Sequence, residues 1–384
     1  MNARRIGVSQ QRWNGELSTH AGDDLKLSRS FWALLLLLLP CLVGCQSARF
    51  YAQAIHGQCQ IIHRQTSIAR LLTRTNLSPE LAAKLRLVLT LRTFAENELE
   101  LPANGHYLAY ADLDRPYAVW NVYAAPEFSL EARSWWYPVV GRLKYRGYFN
   151  EQSARDYAAR LAAKGHDVYV GGVQAYSTLG WFRDPVLNTF VFDPEADLAE
   201  LLFHELGHQK VFVAGDTDFN EAFATTIAEE GVRRWLRSRN RTEALHAYET
   251  DIRRDEQFVE LLSQARVRLQ LLYTNAPADL SAPGAVASLR AGKAKIFADL
   301  ASDYQKLKSG WGGRADYDQW FRQPINNARL NTVETYHRWV PAFRRMLQER
   351  CSGRLDRFFT EAERVARLPK EKRREHLSGL LVQP

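Results

Sequence analysis

The segment that most limits how this chain can fold is His204-Glu205-Leu206-Gly207-His208, which closes the stretch Leu198-Ala199-Glu200-Leu201-Leu202-Phe203. On an α-helix, residues four apart share a face, so His204 and His208 present two imidazole nitrogens to one point. The apolar residues before them give the helix a face for the core. Glu205 is turned by about 100° from His204. Two imidazoles so placed can hold one zinc ion, each at about 2.0–2.1 Å. The turned carboxylate then reaches past the metal toward a bound water, as a general base. A core helix with two hydrogen-bonded histidines has the same spacing, so a third ligand has to decide.

Catalytic zinc takes three protein ligands and keeps one position open. The extended motif that supplies a third histidine is absent, because Val211 and Ala214 stand where it needs Gly and His. After the turn-like Ala214-Gly215-Asp216 comes Asp218-Phe219-Asn220-Glu221-Ala222-Phe223-Ala224. Glu221 falls near the start of a second helix that can pack on the first and complete a His-His-Glu set. Asp218 and Glu221 also have the spacing of a capping box, in which Glu221 would fold back on the backbone. Glu229 and Glu230 are rival ligands more than two turns further on. Two histidines and a carboxylate also suit non-haem iron, but this spacing together with Glu205 favours Zn2+.

The N-terminus sets the compartment. Residues 1–30 are polar and carry Arg4, Arg5, Arg12, Lys26 and Arg29; Phe31 to Leu39 is apolar, Pro40 breaks the run, and Leu42-Val43-Gly44-Cys45 follows. A charged region, an apolar core and a small-residue cleavage site, in that order, form a secretory signal. The run is short for a membrane span. Leu42 to Cys45 resembles the bacterial lipobox. That resemblance implies removal of residues 1–44 as a signal peptide and acylation of Cys45, which would hold the remaining chain on a membrane surface. Gln46 rather than Asp follows Cys45, which among Gram-negative lipoproteins implies the outer membrane, facing the periplasm. An uncleaved anchor helix or a buried apolar segment is the alternative. Besides Cys45, the mature chain carries Cys59 and Cys351. In an oxidising compartment such a pair invites a disulfide; two free thiols are the other outcome.

Residues 45–384 read as one domain. With 46% apolar residues, the chain has enough for a sizeable core, which excludes global disorder. The net charge of +8 is scattered. Only Arg233, Arg234, Arg237, Arg239 and Arg241 cluster, as a basic helix end, so no nucleic-acid partner is expected. Residues 50–75 have helical periodicity, and Ser78-Pro79 starts a helix to about Glu98, with Ser78 as N-cap. Residues 105–149, rich in Tyr, Trp and Val, have strand and loop composition. A helix over 153–164 stops at Gly165, and strands are predicted at Asp167–Val170 and Val186–Phe192. From Glu195 onward the pattern is helical, with breaks near 275–285 and 309–314. A small sheet followed by many helices is an α+β arrangement.

His204-Glu205-x-x-His208 followed by Asn220-Glu221-Ala222-Phe223-Ala224 resembles the gluzincin metallopeptidases, the clan of thermolysin and aminopeptidase N, although the link between His208 and Glu221 is shorter than is usual there. A closer resemblance, over nearly all of 45–384, is to the bacterial family of predicted zinc aminopeptidases that are lipoproteins. It is carried by the lipobox, Tyr145-Arg146-Gly147-Tyr148-Phe149, Ala175 to Phe182, Asp184-Pro185, the zinc motif and Asn326-Asn327-Ala328-Arg329-Leu330. The resemblance implies a zincin-like fold, Glu221 as third ligand, and an aminopeptidase acting on peptides through a zinc-bound water and Glu205. It further implies an oxyanion-stabilising side chain on a later helix, with Tyr336 favoured over Tyr317 and His337. It implies an edge strand beside the metal, from Tyr176–Trp181 or Val186–Phe192, and an acid for the substrate's amine, from Asp184, Glu200 or Glu127. Two other readings stay open: a zinc hydrolase of another amide, such as cell-wall peptides, and a non-enzymatic envelope lipoprotein. Oligomeric state is not legible in the sequence.

Overall fold

Ser78 and Pro79 behave as their chemistry dictates. The Ser78 hydroxyl accepts the Leu81 N–H at 3.2 Å, and Pro79 opens the helix that runs to Glu98. This is one of many helices in a computed structural model that describes residues 45–137, 141–175, 183–277 and 279–382, the side chains of 45–48, 334–337 and 382 excepted. The chain divides into two units, residues 1–51 and 52–384. The signal segment 1–44, the side chain of Cys45 and the segment 176–182 lie outside the described residues.

In chain order the elements are α1 (Cys45–Arg64), β1 (Thr66–Ser67), α2 (Ile68–Leu72), α3 (Pro79–Glu98), β2 (Ala109–Ala111), β3 (Val119–Pro126), β4 (Trp135–Tyr137), β5 (Gly141–Leu143), β6 (Arg146–Tyr148), α4 (Glu151–Ala162), β7 (His166–Val173) and β8 (Val186–Leu187). The helical half follows: α5 (Glu195–Lys210), α6 (Thr217–Ser238), α7 (Thr242–Thr274), α8 (Ala285–Gly310), α9 (Asp318–Phe321), α10 (Asn327–His337), α11 (Val340–Arg345), a π-helical turn at Met346–Arg350, α12 (Leu355–Ala366) and α13 (Lys370–Val382). No helix among the described residues is long and apolar enough to cross a membrane.

The arrangement is α+β, but among the described residues the expected single sheet is three small ones, ordered β1-β2-β8, β6-β3-β7 and β4-β5. In the second, β3 pairs antiparallel with β7 from Val119↔Val173 to Pro126↔His166, which leaves β7 at the edge. The strand predicted at Val186–Phe192 shrinks to Val186–Leu187. Beyond it the chain turns, with Phe190 and Val191 hydrogen-bonding back to the Leu187 carbonyl. The long helix expected over 50–75 is likewise broken, at β1.

The main core gathers α3, α5, α6, α11, α12 and the first sheet. Phe203, Phe219 and Phe223 are all but fully buried in it and contribute about 1.5–3 kcal/mol apiece. A second core lies among α7, α8, α9 and α10, around Phe258, Tyr304 and Leu330. A buried polar knot ties that helical lobe to the second sheet. Lys293 of α8 reaches Asp167 at 2.6 Å, and the Asn327 side-chain amide donates to the carbonyls of Pro126, Glu127 and Ser129. This knot fixes α10 across the sheet.

The anticipated disulfide is not formed. Cys59 faces solvent on α1, Cys351 is buried at the end of the π-helical turn, and both are free thiols.

Candidate metal centre

Helices α5 and α6 run antiparallel and are matched residue by residue. The Trp235 indole N–H donates to Glu195 at 2.8 Å where α5 begins and α6 nears its end. Phe203 packs over Gly231, where a Cβ would come within 2.6 Å of the ring. Gly207 lies against Ala224, with 3.2 Å between an added Cβ and the Ala224 Cα. Continuing the same ladder, Glu221 arrives opposite His204 and His208. Glycine at 207 lets the two helices approach this closely; a Cβ there would press on Ala224 and hold the carboxylate away from the imidazoles.

The connection between the helices is held from within. The Asn220 side chain accepts the Val213 N–H and donates to the Val213 carbonyl, both at 2.8 Å. Asp216, just before α6, is met by Arg373 of α13 at 2.8 Å, and both side chains are buried. Asp218 does not cap the helix; it receives Lys144 from the turn between β5 and β6 at 2.7 Å. Glu221 therefore does not fold back in a capping box but turns toward the histidines.

The three candidate ligand atoms form a tight triangle. His204 Nε2 is 3.2 Å from Glu221 Oε2 and 3.2 Å from His208 Nε2, and His208 Nε2 is 3.7 Å from Glu221 Oε2. Ligand atoms placed about 2.0–2.1 Å from a tetrahedral zinc are about 3.3–3.4 Å apart, so the donor set fits that ion in both spacing and chemistry. Among the described residues, this is the one cluster of three or more His, Cys, Asp or Glu side chains able to hold a metal. Glu229 and Glu230 are not part of it: Glu229 is bound in two-pronged fashion by Arg344, and Glu230 by Arg234. His208 Nδ1 has no hydrogen-bond partner among the described residues.

The electrostatics follow from burial and opposed charge. Burial alone would raise Glu221, but His208 and His204 outweigh it and hold the carboxylate at about 2. Burial would lower His208, yet the facing Glu221 raises it. For Glu205 burial wins, and its pKa is raised despite the two imidazoles. A carboxylate with a raised pKa beside a candidate metal position is suited to accept and return a proton.

The site opens into a cleft of about 730 Å³ lined by Glu200, His204 and Glu205 on α5, by Tyr117, Tyr123 and Tyr169, by Gly171 to Val173 of β7 and the following Gln174 and Ala175, and by Thr332 of α10. Tyr123 stacks on Tyr169 and packs against Tyr145, with centroids 6.0 and 5.9 Å apart. Tyr123 thus serves both as sheet packing and as cleft wall. The border strand is β7. Val186–Leu187 instead sits in the first sheet, and Tyr176–Trp181 lies outside the described residues.

Of the three acids considered for a substrate amine, Glu200 lines the cleft, one turn before His204. Burial and the nearby Glu229 push it up to about 7. Asp184 is buried beside His106 at 3.2 Å, and Glu127 is held by Arg290 at 2.6 Å; neither lines the cleft. Tyr317 stacks on Phe258 in the second core, 3.8 Å between centroids. Tyr336 belongs to α10, one turn after Thr332, and its side chain, like that of His337, lies outside the described residues.

Tyr145 is a residue that motif reading did not single out for chemistry. Its phenol is raised well above its ordinary pKa, by burial first and then by the charges of Glu221 and Glu205, so it stays a neutral O–H donor beside both. Lys144, its chain neighbour, is tied to Asp218 and sets its position. A tyrosine in a short turn carries no sequence signal for this. No curated protein and no solved structure matches the chain. The two helices, the His-His-Glu triangle and the cleft nevertheless fall inside a single matched stretch: a model of the family described as "Putative aminopeptidase" covers residues 49–377, and the chain belongs to that family.

Proposed function

We propose that the protein is a zinc-dependent aminopeptidase, with His204, His208 and Glu221 as metal ligands and Glu205 as general base. The observation that carries this reading is the triangle of ligand atoms opening on a cleft that also holds Glu205. Zinc, when bound there, would act as a Lewis acid that lowers the pKa of water to about 7. The chain's own groups account for the rest. The edge strand β7, along the stretch 171–173 that lines the cleft, aligns the substrate backbone by strand-like hydrogen bonds. Glu205 takes a proton from the attacking water and returns it to the amine nitrogen as the C–N bond breaks. Tyr145 donates its phenolic proton in a hydrogen bond to the carbonyl oxygen as negative charge gathers on it. Glu200 faces the free amine of the substrate, which supports action at the N-terminal residue.

The test pairs metal content with cleavage of aminoacyl and internally quenched peptides, comparing wild type with Glu205→Gln. The reading requires about one zinc per chain in both proteins and a loss of about 10²–10⁴-fold in activity in the variant. Zinc binding without cleavage of any peptide would move the substrate to another amide, such as a cell-wall peptide. Failure to bind metal would leave a non-enzymatic lipoprotein.

The same proposal places the protein in the bacterial cell envelope, lipid-anchored through Cys45 on the outer membrane and facing the periplasm. It rests on the signal-like order of residues 1–45. Intact-mass analysis of membrane-extracted protein would show diacylation lost in Cys45→Ser.

A further inference from the structure

A second concavity, of about 350 Å³, lies beside the metal centre. Its lining brings together four cations, Arg142, Lys144, Lys370 and Arg374, with Asp216 and Asp218. Both aspartates are already matched, Asp218 by Lys144 and Asp216 by Arg373. Lys370 reaches only the Gly215 carbonyl, at 3.5 Å. Arg142, Lys370 and Arg374 thus have no carboxylate partner among the described residues, and Glu131 is the one unmatched acid in the lining. Single unpaired arginines on a surface are ordinary. Three unmatched cations converging on a concave pocket give a positive potential that one glutamate does not cancel.

The linings of the pocket and of the cleft have no residue in common, but the pocket lies next along the chain to the metal centre and the cleft. Asp218 stands one turn before Glu221 on α6, Lys144 immediately precedes Tyr145, and Asn331 in the pocket immediately precedes Thr332 in the cleft. A helical turn is about 5.4 Å and an extended chain covers about 3.3–3.6 Å per residue. A group held in the pocket is therefore only a few residues from the scissile bond. A guanidinium offers a carboxylate a forked pair of hydrogen bonds, and each peptide carries one carboxylate at its C-terminal end.

We propose that this pocket takes the free C-terminal carboxylate of the fragment that leaves, which makes short peptides the substrates. The proposal rests on the peptidase reading and adds the substrate class. Recognition at both ends, the amine at Glu200 and the carboxylate at Arg142 and Arg374, acts as a ruler for length.

The test uses the full chain loaded with zinc, leucyl-glycyl-glycine and its C-terminal amide. The expected KM for the acid is about tenfold below that for the amide, and in Arg142→Ala/Arg374→Ala the two substrates become equivalent. Both side chains are exposed, so folding is kept. Binding of the same two peptides to Glu205→Gln, followed by calorimetry, gives the same comparison without turnover. Equal KM values in wild type, or a double variant that weakens acid and amide alike, would overturn the proposal. So would leucyl-glycyl-aspartic acid α-amide, which carries a side-chain carboxylate but no free C-terminal carboxylate, if it binds as tightly as the free acid. If wild type cleaves neither peptide, the peptidase reading falls, and the calorimetry decides the pocket alone: a tenfold preference for the acid that the double variant abolishes supports it, and its absence refutes it.

Discussion

Gly207 and Ala224 meet where α5 crosses α6, so closely that a Cβ on Gly207 would lie 3.2 Å from the Ala224 Cα. Two effects oppose each other in Gly207→Ala. Helix propensity favours alanine by about 0.8–1.0 kcal/mol, while forcing a methyl into a filled contact costs about 1–3 kcal/mol. The net change in stability is therefore small. Displacement falls on Glu221, one turn from Ala224, so zinc affinity is expected to weaken by about tenfold. A zinc titration beside a thermal melt checks both, and unchanged affinity would refute the role assigned to the crossing.

Tyr145→Phe removes one hydroxyl from the neighbourhood of Glu205 and Glu221. If the phenol serves the carbonyl oxygen only as charge develops, kcat falls by about 10²-fold and KM scarcely moves. Steady-state kinetics on an aminoacyl substrate separate this from a packing role, in which stability would drop and both kinetic constants would drift together.

The buried pair of Asp216 and Arg373 secures the start of α6, with 2.8 Å between them and about 7% and 6% of each side chain exposed. Arg373→Met alone strands a buried carboxylate and should cost about 3–5 kcal/mol. Adding Asp216→Leu is expected to recover most of that loss, because two apolar groups leave no charge unmatched. Urea unfolding of wild type and the two variants measures the difference.

Glu200 gives a pH signature in the metal-free protein. Burial and Glu229 raise it to about 7 in the folded state, against about 4.3 in an unfolded chain. The folded form thus holds a proton that the unfolded form has released across that window. Stability falls as pH rises from about 4.5 to 7, and the full penalty stands above 7. Glu200→Gln removes the penalty, so the variant should be more stable than wild type by about 1–3 kcal/mol at pH 8, with the gap closed near pH 4.5. Equal melting temperatures at pH 8 would count against a buried, ionised Glu200.

The parts of the site that could be read in advance are those set by local geometry. His204, Glu205 and His208 follow from helical periodicity, and Glu221 from a short link to the next helix. Ser78-Pro79 announced its helix by cap chemistry. What could not be read was set by contacts between distant segments. That Glu200 and not Asp184 or Glu127 lines the cleft could not be read, because His106 meets Asp184 and Arg290 meets Glu127 only in the fold. Tyr145 required the bond between Lys144 and Asp218, 74 residues apart. Val186–Phe192 has strand composition, but the local turn at Leu187 ended the pairing after two residues. Cys59 and Cys351 suited a bridge by number and compartment alone, and packing placed one in solvent and the other in the core.

The metal triangle is drawn from one continuous run of chain, 204–221, closed by Asn220 on Val213, whereas the cleft around it is assembled from segments as far apart as Tyr117 and Thr332. On the proposed function, reactivity is encoded locally and discrimination remotely. Substitutions scattered over the wall would then redirect which molecules are accepted and leave the reactive cassette untouched, so a lineage built on this scaffold would be free to change its diet without reinventing its chemistry.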